Sequence, residues 1–261
     1  MPRHSALCGA FLVLALGGTP AVAAPVLIEP PTGKPTFPIE FKVEAEPKGA
    51  GLEVEGKVKW ERKDPEEKLE EKLKQIIGVP DPGLAFLFTL APDAGGVRLG
   101  FEIDGIGSRS IVLTDAQAGL VPLHLMELEV KVETKKNETA AVSLSNLAFN
   151  GEAFADTIAL TAPALNDKGE LKNEAKRKLY FALPGGDPFV APFTISGLLA
   201  ASGAIDEFEV KIKFGDGTFV APPKDDPGTG PTPVPEPASL VLLGAAVLAL
   251  AGTLRVARVT T

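Results

Sequence analysis

Few side chains in this chain are equipped for catalysis. Beyond the first two dozen residues there is one histidine, His124, one tyrosine, Tyr180, one tryptophan, Trp60, and no cysteine. Metal centres built from several His or Cys ligands are thereby excluded. A Ser-His-Asp triad would have to use His124. That residue lies between Leu123 and Leu125; if the run is a strand, the imidazole faces away from both leucines, as an ordinary exposed strand histidine does. No Gly-x-Ser-x-Gly elbow and no phosphate-binding loop occurs. Carboxylates are plentiful, which leaves a carboxylate-based glycoside hydrolase open on composition, although no pair of them stands out.

No cofactor is expected. Calcium is the metal best suited to the oxygen-rich turns Asp104-Gly105, Asn166-Asp167 and Asp216-Gly217. Each turn is explained more simply by backbone geometry. Asn137-Glu138-Thr139 has the form of a glycosylation sequon and is read as chance. Trp60 and Tyr180 have the ring faces to stack on a sugar. Trp60, however, shares the phase of Leu52, Val54 and Val58 and is expected in the core.

The elements that would position these residues are short and alternating. Residues 39–45 and 52–60 alternate apolar with charged and predict a hairpin at a sheet edge, with Gly56 as a bulge. A helix is expected next. Asp64 would cap it, Pro65 would take its first position, Leu69, Leu73, Ile76 and Ile77 would form its apolar face, and Gly78 would end it. Further strands are predicted at 84–90, 97–103, 110–113, 123–132, 142–149, 157–160, 179–183, 193–198 and 208–214. A bulge is expected near Met126, a turn at Asp93-Ala94-Gly95-Gly96, and a final turn at Asp216-Gly217. Residues 168–178 read as a short helix or charged loop, and 25–38 as a proline-rich lead-in. Many short strands with Gly and Pro turns make this an all-β protein, an antiparallel β-sandwich with one short amphipathic helix.

Both ends carry different signals. Residues 1–23 read as a secretory signal peptide, with Arg3 and His4 ahead of a short apolar core. Ala21-Val22-Ala23 supplies the small-x-small pattern for signal peptidase, and cleavage after Ala23 keeps Pro25 from the first mature position. The sandwich is assigned to 24–221 and a Pro/Gly-rich linker to 222–233. The terminal segment, 234–261, opens with Val234-Pro235-Glu236-Pro237. An uncharged apolar span, 238–254, follows, and then Arg255 and Arg258. At 1.5 Å per residue that span reaches roughly 25 Å, near the lower limit for a single membrane-spanning helix. The arginines place the C-terminus in the cytoplasm and the body outside.

This tail resembles the PEP-CTERM sorting signal of Gram-negative bacteria: a Pro-Glu-Pro motif, one apolar span and a basic end, in that order at the terminus. The spaced arginines depart from the tighter basic cluster common in that family. The resemblance implies cleavage near Pro235-Glu236-Pro237 by an exosortase, a membrane-embedded processing enzyme. It also implies an exopolysaccharide or biofilm setting in the envelope, surface or extracellular matrix. A permanent single-span anchor is the alternative reading of the same residues.

The net charge is −8, and loss of Arg3, Arg255 and Arg258 on processing would take it to −11. Nucleic acid is disfavoured as a partner. The expectation is therefore a non-enzymatic exported protein of structural or interaction type, whose partners are signal peptidase, an exosortase, the membrane before processing and, as an open case, exopolysaccharide. A glycan-binding module is the alternative.

Overall fold

The computed structural model describes residues 23–63, 66–78, 83–118, 123–135, 138–165 and 169–223. Two antiparallel sheets pack face to face as a β-sandwich. The first sheet runs in the order β1 (Val26–Ile28), β14 (Glu174–Ala182), β8 (Leu125–Thr134), β16 (Ile205–Thr218), β2 (Thr32–Lys48), β3 (Gly51–Lys63), β4 (Glu66–Ile77). The second runs β10 (Glu152–Ala153), β9 (Ala140–Phe149), β15 (Phe193–Gly203), β5 (Leu84–Asp93), β6 (Gly96–Ile103), β7 (Gly107–Thr114), with β11 (Ile158–Ala162) also paired to β9. The short strands β12 (Ala164–Leu165) and β13 (Leu171–Lys172) pair with each other. A single helical turn, α1 (Asp115–Ala118), follows β7, and a 3-10 turn spans Pro184–Gly186.

Period-two alternation explains the layers. From Ile39 to Ala45 in β2 and from Leu52 to Trp60 in β3 every second residue is buried, and the residues between them are Glu and Lys. The inner faces meet through aromatic rings. Phe41 of β2 stacks on Phe88 of β5 with centroids 4.9 Å apart, and Phe214 of β16 lies 5.0 Å from Phe193 of β15. Trp60 is fully buried on the same inner face of β3, as its phase predicts.

Several local expectations are corrected. The segment Glu66–Ile77 is not a helix but strand β4, paired with β3 from Lys63↔Glu66 to Leu52↔Ile77. Leu69, Leu73 and Ile77 are four residues apart, and a spacing of four suits one face of a strand as well as one face of a helix. Ile76 discriminates: a helix would place it beside Ile77, whereas here it is 55% exposed. Asp64 and Pro65, expected to start the helix, lie outside the described residues; Gly78 follows the end of β4. The β2–β3 hairpin is not at the edge, because β4 takes that position.

Gly56 is no bulge either, since the β2–β3 register runs unbroken through Val43↔Gly56. Its missing side chain makes room for Phe101 and Ile103 of the opposite sheet. No register shift occurs at Met126; the alternation slips there because Leu125, Met126 and Glu127 are all buried, on both faces of β8. Of residues 168–178, read as helix or loop, 171–172 form β13 and 174–178 begin β14. Within the lead-in, Val26–Ile28 is a strand and β2 already begins at Thr32. Asp216-Gly217 is not a terminal turn. It lies inside β16, where the register with β2 shifts twice.

Candidate functional site

The outer face of the first sheet is a lattice of charge built by register. One row across six strands reads Tyr180, Glu127, Lys213, Glu40, Lys59, Glu70. The next row reads Lys178, Glu129, Lys211, Lys42, Lys57, Lys72. The third carries Glu209, Glu44 and Glu55 in succession. The cation-rich row lies beside the anion-rich stretch, so charges compensate along diagonals between neighbouring strands. Lys42 bridges to Glu209 at 2.9 Å and also to Glu44. Lys57 reaches Glu40 at 2.9 Å.

Three carboxylates on this face are buried: Glu127, Glu129 and Glu209. Lysine stems lie over them and bring the ammonium groups onto their oxygens. Glu129 is held by Lys176 at 2.8 Å, Lys178 at 3.0 Å and Lys211 at 3.6 Å. Burial alone would push its carboxyl up, but the hydrogen bonds from Lys176 and Lys178 prevail and hold it at about 2. Glu209 is likewise pushed up by burial and held below the usual carboxylate range by Lys211 and Lys42. A glycosidase acid needs the opposite, a carboxyl kept protonated near neutral pH. Glu129 and Glu209 are built as permanent anions.

Glu44, Glu207 and Glu209 bring carboxylate oxygens within 4.8 Å of one another, a juxtaposition that linear spacing did not reveal. Ammonium groups already serve them. Lys211 and Lys42 sit on Glu209, and Lys131 contacts Glu207 at 3.1 Å. The turns considered for calcium are not gathered here: Asp104 is in the β6–β7 turn, Asp216 is in β16, and Asn166 and Asp167 lie outside the described residues.

His124 is half-buried rather than exposed; its Nδ1 is 3.0 Å from the carbonyl oxygen of Gly186, which can only accept. Tyr180 is half-buried at the end of the first row, and burial, together with the Glu127 carboxylate, pushes its phenol up. Trp60 has no exposed ring face on which a sugar could stack. Ala23 is exposed, three residues ahead of β1. Ala21, Val234, Pro235, Glu236, Pro237, Arg255 and Arg258 lie outside the described residues. Among the described residues no helix is long and apolar enough to cross a membrane; the expected span at 238–254 is not among them.

At one end the first sheet splits. β2 and β3 pair only as far as Ile39↔Trp60. Beyond it, Thr32–Pro38 pairs only with β16, and Glu61–Lys63 only with β4. Pro38, the next residue, has no N–H with which to continue the ladder. The two register shifts in β16 bend the β2–β16 ribbon away. Gly215 permits this bend, because a side chain there would strike the Thr36 carbonyl.

The diverging ribbons enclose an open cleft of about 1090 Å³. Lys34, Lys59, Arg62, Lys63 and Lys213 line it against Glu40, Glu61 and Asp216. Phe37 stands half-exposed on its wall, with the Lys213 ammonium 5.9 Å from the ring centre.

No protein-family model matches the chain, and no curated protein matches it.

Proposed function

We propose that this chain is an exported protein of the cell surface or extracellular matrix, structural or interaction-forming rather than catalytic. In this reading signal peptidase removes residues 1–23, the apolar span 238–254 holds the body outside the membrane, and an exosortase cuts near Pro235-Glu236-Pro237. One observation carries it: the ordered signature of Pro-Glu-Pro, uncharged span, Arg255 and Arg258 at the C-terminus. The body is in keeping with it. The described strands begin at Val26 and end at Thr218, between the two terminal signals. The outer face of the first sheet offers fixed, mutually neutralised charge instead of a proton donor and acceptor of separated affinity.

The test is the intact mass and terminal sequence of the protein from its native host and from a strain lacking its exosortase. A form starting near Ala24 and ending near Pro235-Glu236-Pro237, only when the exosortase is present, supports the reading. An uncut C-terminus in both strains overturns it and leaves a single-span anchor.

A further inference from the structure

The cleft between the diverging β2 and β3 ribbons departs from the charge balance of the rest of the molecule. The chain as a whole has net charge −8, yet the charged side chains lining the cleft include two more cations than anions. Most of them are already engaged: Lys213 with Glu127 at 2.7 Å, Lys59 with Glu61, and Arg62 with Glu67 at 3.2 Å. Lys34 and Lys63 are not. Both are exposed, on opposite walls, and neither has an ion-pair partner among the described residues. An anionic group entering the cleft therefore meets two ammonium groups that need not abandon an existing carboxylate. At the centre of this sheet, by contrast, Lys42, Lys57, Lys176, Lys178 and Lys211 each already hold a glutamate.

We infer that this cleft binds an extended, carboxylate-bearing oligosaccharide. The walls alternate cations with the hydroxyls of Thr32, Thr36 and Thr218, and Phe37 adds a partly open ring. Spaced cations suit the carboxylates of successive acidic sugars, and hydroxyls suit the sugar hydroxyls between them. An added peptide strand fits less well: the β3 wall offers only Glu61–Lys63, and Pro35 and Pro38 remove N–H donors from the β2 wall. Nucleic acid fits less well because the cleft offers a single half-exposed ring, Phe37, where successive bases need several stacking faces. The inference rests on the exported placement proposed above, since such glycans are met outside the cell.

The experiment uses the full chain in non-ionic detergent, titrated with polygalacturonate or alginate oligomers and, separately, with neutral dextran oligomers. Saturable binding of an acidic oligomer with Kd below about 1 mM at low salt is expected, with none to dextran. The double variant Lys34→Glu/Lys63→Glu should bind at least tenfold more weakly, and Lys172→Glu, outside the cleft, within twofold of the parent. Thermal melting of all three proteins shows whether the variants remain folded. Absence of binding to either acidic oligomer, equal binding of dextran, or an unchanged Kd in the folded double variant would overturn the proposal. Terminal processing is read by mass in a different experiment, so either result can fail without the other.

Discussion

Replacing Glu129 by glutamine keeps the shape of the side chain and removes one charge from beneath three lysines. The native carboxyl lies at about 2 against an ordinary 4.5. At 1.36 kcal/mol for each tenfold change in proton affinity, this corresponds to about 3 kcal/mol of preferential stabilisation of the charged form. Lys176 and Lys178 keep two-fifths of their side-chain surface in water and can swing outward, so screening reduces the expected effect to about 1–3 kcal/mol.

The sign follows from the direction of the shift. A carboxyl depressed in the folded state adds stability that is complete above about 4.5 and is lost as pH falls through about 2. Urea unfolding of parent and Glu129→Gln should therefore differ by that amount at pH 7, by less at pH 3.5, and by almost nothing at pH 2. Taking the difference between the two proteins cancels the titration of other carboxylates. The reasoning fails if the variant matches the parent at pH 7 within about 0.3 kcal/mol, which is within the scatter for an ordinary surface site. It also fails if a penalty seen at pH 7 persists unchanged at pH 2.

Two further outcomes test the packing. Gly56→Val should destabilise by about 3 kcal/mol, because the new side chain would occupy the space of Phe101 and Ile103. Were Gly56 an open bulge, the gain in strand propensity would instead leave stability equal or higher, so the sign of the change in urea midpoint decides. The charges of β4 are expected to guard an edge strand with an unpaired side. Replacing Lys68, Glu70 and Lys72 together by valine should convert a sharp gel-filtration peak into concentration-dependent association, and an unchanged elution volume would refute that role.

Local and long-range order differ in how far the amino-acid sequence reveals them. Strands such as β2, β3, β5 and β16 were legible because they place apolar residues on one face and charged or polar ones largely on the other, and that pattern is local. The first half of β14 was hidden because the positions in phase with Leu179 and Phe181 are Ala175 and the charged, exposed Arg177, so no apolar alternation begins before Leu179. β4 was misread because its apolar spacing fits two periods, and its Glu, Lys and Leu residues favour a helix in isolation. Twelve residues of pairing with β3 override that preference. Neither the charge lattice nor the cleft had a linear signal, since each depends on residues far apart in the chain.

By itself the sequence determined the alternation that makes an all-β body, the inward phase of Trp60, the shortage of catalytic side chains and the terminal segments on which the export reading rests. These are properties of neighbours along the chain, and short-range sterics and hydrophobic periodicity write them directly. Only the tertiary structure decided which Glu meets which Lys, why Gly56 must lack a side chain, and where β2 leaves β3. A sheet brings strands together across long sequence separations, and a one-residue change in register moves every side chain to the opposite face. Register is fixed by the packing of both sheets together, and it alone places Glu129 under three lysines and leaves Lys34 and Lys63 unpaired across an open cleft.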